Sequence, residues 1–198
     1  MTGTFAAARG RSEPALTPLV HHPTTPPSAA LEVSGGAALE GTTLWLRFVL
    51  HGELARIALP APASAPRRRD ELWRHTCCEA FLGAATRPAY VEANFAPTGD
   101  WALYAFDDRR RGMRDVPLAR APRSATRSDA RTLTLDVLLD LEPVAALLGP
   151  PPYALGLSAV VEEHDGKVAY FALAHPGAHP DFHDPGGWSA SLAARAGS

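Results

Sequence analysis

The sequence contains few cysteines, a single lysine and no long apolar run. Its two cysteines among 198 residues, Cys77 and Cys78, are adjacent. Neighbouring residues of a strand point to opposite faces, so we expect free thiols, as in a reducing compartment. No apolar run reaches the length of a membrane span, and the N-terminal segment lacks the charged and apolar regions of a signal peptide. These absences predict a cytoplasmic protein with no membrane partner.

The charge balance gives no indication of a nucleic-acid partner. The formal net charge is −2, and we interpret the basic runs at 67–69 and 109–114 as solvated loops. Arginine greatly outnumbers lysine, and alanine and proline are abundant, which is typical of a high-GC bacterial genome. Hydrophobic residues make up 46% of the chain, which is enough for one domain with a core. We assign that domain to residues 29–198 and predict a flexible tail over residues 1–28, which are rich in Pro, Thr, Ala and His.

Alternating apolar and polar residues predict strands over most of the domain. In Thr43–Leu50 the leucines and Phe48 share one face, and Leu54–Leu59 is expected to return as a hairpin partner. Further strands are predicted near 76–82, 89–95, 101–106, 131–138, 153–161, 167–173 and 188–192. Leu141–Leu148 is the only predicted helix, with a proline in its first turn and a glycine after its last. The pattern indicates an all-β, antiparallel β-sandwich of about nine or ten strands with one short helix.

The segment with both cysteines, ELWRHTCCEAF, is the most unusual in the chain. His75 lies close to Cys77 and Cys78, but an extended segment does not direct the imidazole towards either thiol. We therefore interpret the cysteines as small buried hydrophobic residues, one on each side of the sheet.

A second polar segment contains three histidines and two aspartates within ten residues, at His175, His179, Asp181, His183 and Asp184. Its prolines exclude the helix that would align the histidines, and no known metal-ligand spacing is matched. We predict no metal site here; the side chains would instead hydrogen-bond within an irregular loop.

The remaining polar residues indicate either paired carboxylates or a ligand platform. Glu79 and Glu92 fall on neighbouring predicted strands, and a hydrolase would need both carboxyl groups in one cleft. In the other interpretation Trp73 stacks on a ligand, and Arg74, Glu79 and Asn94 hydrogen-bond to its polar groups. A purely structural alternative stays open, in which Trp73 covers the core and Glu79 pairs with Arg74.

Four segments resemble the bacterial DOMON-like domain proteins, which are related to family 9 carbohydrate-binding modules. They are LWRHTCCEAFL, YVEANFAPTGDWALYAFDDRRRGM, LGLSAVVEEHDGKVAYFALAHP and PDFHDP, in the family's order within residues 30–192. The resemblance implies an immunoglobulin-like β-sandwich that binds a saccharide or a related polar small molecule without catalysis. It implies ligand contacts for Trp73 and Glu79 and, as a second stacking ring, for Trp188. It also implies a structural calcium ion, for which the sequence shows no ligands.

The same resemblance implies a second possible ligand, because other domains of this type bind haem b for electron transfer or sensing. The axial ligands would be Met113 and His175. A hydrolase that uses Glu79 and Glu92 is the remaining alternative. The sequence does not determine the oligomeric state.

Overall fold

A computed structural model describes residues 13–61, 63–84 and 86–195. The strands are β1 (Thr17–His21), β2 (Leu31–Glu40), β3 (Thr43–Gly52), β4 (Cys77–Gly83), β5 (Tyr90–Phe95), β6 (Trp101–Phe106), β7 (Arg114–Asp115), β8 (Arg123–Ser128), β9 (Thr132–Asp140), β10 (Tyr153–Glu162), β11 (Val168–Ala172), β12 (Ala190–Leu192) and β13 (Ala194–Arg195). The helix is α1 (Glu142–Leu148), and three 3₁₀ turns are η1 (Leu54–Arg56), η2 (Leu72–Arg74) and η3 (Pro185–Gly187). None of these helices is long and apolar enough to cross a membrane.

The strands form two layers that share one strand. The first sheet has the order β7-β6-β5-β4-β10-β11, and the second has the order β2-β3-β9-β8. Strand β1 pairs with β11 at one end and with β2 at the other, so it joins the layers. All pairings within these orders are antiparallel, and the short β13 runs parallel to β2. The predicted antiparallel β-sandwich is thus confirmed, with thirteen strands in the described residues instead of nine or ten.

The core lies between the two sheets and is built from the inward-facing side chains of their longer strands. Leu44, Leu46, Phe48 and Leu50 of β3 are completely buried, as their alternation predicts. From the first sheet, Cys78, Ala80 and Leu82 of β4 pack into the same cluster. The predicted helix is also confirmed: α1 buries Val144 and Leu148 against this core and ends at Gly149, whose φ is 88°.

Three strands of the first sheet are buried on both faces, whereas an antiparallel sheet often leaves one face to solvent. All residues of β4, β5 and β6 are buried. Their outward side chains form a second apolar cluster that includes Phe81, Tyr90 and Tyr104, with Trp73 and Trp188 packed against it. Loops therefore cover this outer face, and the candidate site lies beneath them.

Three features of the N-terminal half differ from the sequence-based expectations. Leu54–Leu59 is not a strand; it begins with the turn η1, and the partners of β3 are β2 and β9. The alternation does not predict strand β2, because its sequence LEVSGGAALE carries two glycines and few polar residues between apolar ones. Strand β1 lies within the stretch predicted as a flexible tail, where both of its edges are paired. Residues 1–12 of that predicted tail lie outside the described residues.

Candidate ligand-binding site

The register of β4 and β5 places the polar residues of the site on the outer face of the first sheet. Glu79 lies opposite Asn94, and Phe81 lies opposite Glu92, so the two glutamates are diagonal neighbours on one face. On the other side of β4, Ser158 of β10 lies opposite Glu79. The alternation that sends Cys78 into the core sends Cys77 and Glu79 outward, as the sequence predicts.

The β6–β7 loop (residues 107–113) and the β11–β12 loop (residues 173–189) cover this face and are joined by ion pairs. Arg109 contacts Asp181 at 2.5 Å and Asp184 at 3.1 Å, and Arg110 donates to Asp181 at 2.8 Å. Arg110 has φ at 57°, in the left-handed region that few non-glycine residues adopt. The β6–β7 loop is thus held close to the β11–β12 loop above the outer face of the sheet.

Trp188 anchors the β11–β12 loop to the sheet. Its indole stacks on Phe81 with ring centroids 5.9 Å apart and an angle of 18°, and its Nε1 donates to the carbonyl of Phe182 at 2.9 Å. Glycines at 83 and 156 leave the space for the ring, because a Cβ at Gly83 would lie 2.7 Å from it and one at Gly156 would overlap it. Trp188 therefore acts as part of the scaffold in this structure and lines a small adjoining depression.

A cavity of about 610 Å³ lies between the sheet and the covering loops. Its polar lining includes Glu79, Glu92, Arg110 and His183, and its aromatic lining includes Trp73, Phe106, Tyr170 and Phe182. Trp73 lies on η2, half-buried, with its ring edge-on to Tyr104 at 5.9 Å. The cavity thus combines flat aromatic walls with a floor of two carboxyl groups.

Glu79 has an oxygen without a partner at the floor of the cavity. The residue is only 2% exposed, and its Oε1 makes no hydrogen bond with the described residues. Burial raises the pKa of Glu79 well above its ordinary value, and the neighbouring Glu92 raises it further, while Arg110 opposes the shift. Thr25 Oγ1, which also lies among the lining residues, and Ser158 Oγ are likewise buried without a partner in the described part of the chain.

Glu92 differs from Glu79 because the protein supplies a donor to it. Asn94 Nδ2 donates to Glu92 Oε1 at 2.7 Å, and His183 Nε2 lies 3.7 Å from Glu92 Oε2. Burial also raises the pKa of Glu92, although the hydrogen bond from Asn94 and the charge of Arg110 oppose the shift. Burial, together with the charge of Arg110, lowers the pKa of His183 to about 4, so this imidazole is neutral at pH 7.

The structure brings some of the predicted ligand contacts together and separates others. Trp73 and Glu79 line the same cavity. Asn94 lies beside it, completely buried, where it holds Glu92. Arg74 turns away to pair with Glu71 at 2.9 Å and lines a different depression, so the suggested Glu79–Arg74 pair is not formed. Trp188 is not among the described residues that line the main cavity.

Several residues that line the cavity are not among the ligand contacts predicted from the sequence. Arg110 belongs to a run that we interpret from sequence as a solvated loop, and His183 belongs to the loop considered for a metal. Tyr170 and Phe106 lie at the cavity because they occupy outward positions of β11 and β6. The alternation of Trp101–Phe106 places Phe106 on the outward side with Tyr104, and this signal could have identified it.

The two predicted haem ligands do not share a cavity in the described part of the chain. Met113 lines the main cavity and is 56% exposed. His175 does not line it; Nε2 of this residue donates to the carbonyl of Val20 at 2.9 Å, and the ring contacts that of His22 edge-on. Met113 and His175 therefore do not face each other across one cavity as a pair of axial ligands would.

The described residues contain no group of three or more His, Cys, Asp or Glu side chains that could hold a metal ion. The calcium ion implied by the resemblance stays a prediction. Cys77 and Cys78 are free and buried, and burial raises the pKa of both thiols. A buried thiol with a raised pKa is a poor nucleophile, in agreement with the prediction that both cysteines act as small hydrophobic residues.

Comparison with known proteins finds relatives by structure but not by sequence. No family profile matches the sequence, and neither does any curated protein. A candidate carbohydrate-binding protein from Bacteroides uniformis is similar with a TM-score of 0.67 and 13% identity, over 92% of this chain and 87% of that chain.

A family 9 carbohydrate-binding module from Caldicellulosiruptor kristjanssonii is also similar, with a TM-score of 0.57 and 8% identity. The match covers 91% of this chain and 85% of that chain in its glucose complex, and 91% and 83% in its cellotriose complex. At such low sequence identities, the structural similarity establishes the fold alone. The chain therefore has the β-sandwich fold of the family 9 modules.

Proposed function

We propose that this protein is a non-catalytic binding module for a saccharide, which it holds in the cavity beneath the β6–β7 and β11–β12 loops. The observation that carries the proposal is that Trp73 and Glu79 line the same cavity. A sugar ring needs a flat aromatic surface for its C–H face and hydrogen-bond acceptors for its hydroxyl groups. Trp73 supplies the first, and the unpartnered Oε1 of Glu79 supplies the second.

The unpartnered polar atoms support a polar ligand. A buried oxygen without a hydrogen bond costs about 1–3 kcal/mol, so most such atoms in proteins have partners. Glu79 Oε1 and Thr25 Oγ1 lack partners among the described residues, and both residues belong to the lining of this cavity. Hydroxyl groups of a bound sugar would satisfy these two atoms, because each hydroxyl can both donate and accept.

The structural relatives support the same ligand class. The family 9 module that shares this fold was solved with glucose and with cellotriose. Glucose and cellotriose are therefore the first saccharides to test.

The test is calorimetric titration of the purified protein with glucose and cellotriose, repeated with Trp73→Ala and Arg74→Ala. The two substitutions are matched, because the residues are adjacent on η2 but line different cavities. We expect Trp73→Ala to abolish measurable binding and Arg74→Ala to leave it unchanged, with both variants folded. Equal binding by wild type and Trp73→Ala would contradict the proposal.

A hydrolase is the second candidate, because Glu79 and Glu92 do line one cavity. A glycosidase pair needs one protonated and one ionised carboxyl group, usually in contrasting environments. Here burial raises the pKa of both groups, but only Glu92 receives a hydrogen bond from the protein, from Asn94, so the two environments differ. Release of nitrophenol from aryl glycosides by wild type, and its loss in both Glu79→Gln and Glu92→Gln, would establish the enzyme instead.

A further inference from the structure

The cavity has an excess of carboxyl groups over cations. Among its described lining residues are the three acids Glu79, Glu92 and Asp181 and one guanidinium, that of Arg110. Asp181 is already paired with Arg109 and with Arg110, so neither glutamate forms an ion pair with an arginine among the described residues. Neutral hydroxyl groups of a sugar would satisfy hydrogen bonds but would leave this excess uncompensated.

Within the described residues, no cation forms an ion pair with Glu79. Arg110 donates to Asp181, and Arg109 contacts Asp181 and Asp184. The titratable residues that share the cavity lining with Glu79 in the described structure are Glu92, Arg110, Tyr170, His179, Asp181 and His183. Its neighbours in the sheet are Asn94 of β5 and Ser158 of β10. His183 is neutral at pH 7 and approaches Glu92 rather than Glu79. Glu79 is therefore a buried carboxyl group whose Oε1 receives no hydrogen bond from the described residues.

The walls of the cavity suit a cation as well as they suit a sugar ring. Among the described residues, the aromatic side chains that line it are those of Trp73, Phe106, Tyr170 and Phe182. The face of an aromatic ring attracts a cation, and the attraction is larger where water is excluded. A ligand that carries both a pyranose ring and an ammonium group would use the aromatic walls and the acidic floor together.

We propose that the preferred ligand is an amino sugar whose primary ammonium group binds between Glu79 and Glu92. This inference rests on the proposed saccharide function and specifies its ligand. The ammonium donates to the unpartnered Oε1 of Glu79, and a neutral sugar can place only a hydroxyl there. Charge-assisted hydrogen bonds are about twice as strong as neutral ones, so glucosamine should bind about tenfold or more tightly than glucose.

Binding of the ammonium should also release a proton. Because burial raises the pKa of both glutamates, the pair in the free protein keeps a proton to a higher pH than ordinary glutamates do. A bound cation favours the charged form of both carboxyl groups and displaces that proton. Affinity for an amino sugar should therefore rise with pH, as long as its amine stays protonated.

The experiment is calorimetric titration of the whole protein with glucosamine, N-acetylglucosamine, glucose and cyclohexylamine at about pH 6, in two buffers of different ionisation enthalpy. N-acetylglucosamine keeps the ring and the nitrogen but removes the charge, whereas cyclohexylamine keeps the charge and removes the hydroxyl groups. We expect a preference of about tenfold or more for glucosamine over both neutral sugars, with proton release on binding. Glu79→Gln should reduce the preference to near unity, and Glu92→Gln is a second variant with the same expected direction. Melting curves check that both fold.

The outcomes separate this inference from the function on which it rests. Glucose that binds as tightly as glucosamine, without proton release, would overturn the amino-sugar proposal and leave saccharide binding in place. Cyclohexylamine that binds as tightly as glucosamine, while glucose does not bind, would keep the ammonium site and overturn the saccharide function. Absence of binding by all four compounds and by cellotriose would overturn both.

Discussion

The indole of Trp188 lies directly on Gly156 of β10, and the absence of a side chain at that glycine is what allows the contact. The ring also covers Gly83 of β4, stacks on Phe81 and holds the carbonyl of Phe182. Because Phe182 lines the cavity, this contact sets the position of the β11–β12 loop above Glu79. The residue that the resemblance implies as a second stacking ring for the ligand instead fixes the loop that closes the site.

Gly156→Ala should displace Trp188 and destabilise the fold. The new Cβ would overlap the indole and lie 3.0 Å from its Nε1, and overpacking of this kind costs about 1–3 kcal/mol. The measurement is the free energy of unfolding in urea, with tryptophan fluorescence as the signal. Gly177→Ala, in the β11–β12 loop that carries Trp188, is the control, because a Cβ there meets nothing closer than 3.5 Å. Equal stability of the two variants would argue against the anchoring role.

Glu79→Gln should stabilise the protein at neutral pH and have little effect near pH 4. In the folded state the pKa of Glu79 is raised, whereas in the unfolded chain it is about 4.3. Between these values the folded protein holds a proton that the unfolded chain has lost, so stability falls as pH rises through that window. Glutamine has no ionisable carboxyl group and so removes the free-energy cost of burying one, which we expect to amount to about 1–3 kcal/mol at pH 7.

Thermal unfolding of wild type and Glu79→Gln at pH 4 and pH 7 measures this difference. Glu32→Gln, at an exposed position of β2, is the control and should change the melting temperature little at either pH. A loss of stability in Glu79→Gln at pH 7 would mean that the carboxylate is stabilised in the folded protein, contrary to the effect expected from its burial.

Asp181→Asn should loosen the two covering loops without unfolding the domain. Asp181 accepts from Arg109, from Arg110 and from the backbone of His183. Both arginines are about half exposed, and such ion pairs contribute only about 0–1 kcal/mol to global stability. Hydrogen exchange should therefore accelerate in residues 107–113 and 173–189 while the melting temperature changes little.

Asp107→Asn provides the comparison, because Asp107 pairs with Arg114 next to the same β6–β7 loop rather than across to the β11–β12 loop. Faster exchange in both loops with this variant as well would show that Asp181 has no special role in joining them.

The sequence predicts the central strands of the first sheet well because their side chains alternate. This alternation places Glu79 and Asn94 on neighbouring strands, and the register of β4 and β5 confirms that they lie opposite each other. It fails for β2, where Gly35 and Gly36 are required by close packing instead. A Cβ at Gly35 would lie 3.2 Å from the ring of Phe48, and no local pattern reveals a contact of that kind.

Some side chains of the site could not be placed correctly from the sequence. Their positions depend on turns and on contacts between residues that are far apart in the chain. Trp73 and Arg74 are adjacent on the 3₁₀ turn η2, where neighbouring side chains diverge, so only one of them reaches the cavity. Arg110 reaches it through a backbone conformation with positive φ. The role of Trp188 depends on Gly83, which is far earlier in the chain. None of these relationships produces a recognisable pattern among neighbouring residues of the sequence.

The most direct test of the central claim is a crystal structure of the protein soaked with a saccharide that the titrations show to bind. We predict density for one sugar ring against the indole of Trp73, with a hydroxyl or ammonium group within hydrogen-bond distance of Glu79 Oε1. Well-defined sugar density in the depression lined by Arg74 and His75, with the cavity beneath the covering loops free of sugar, would contradict saccharide binding at Trp73 and Glu79.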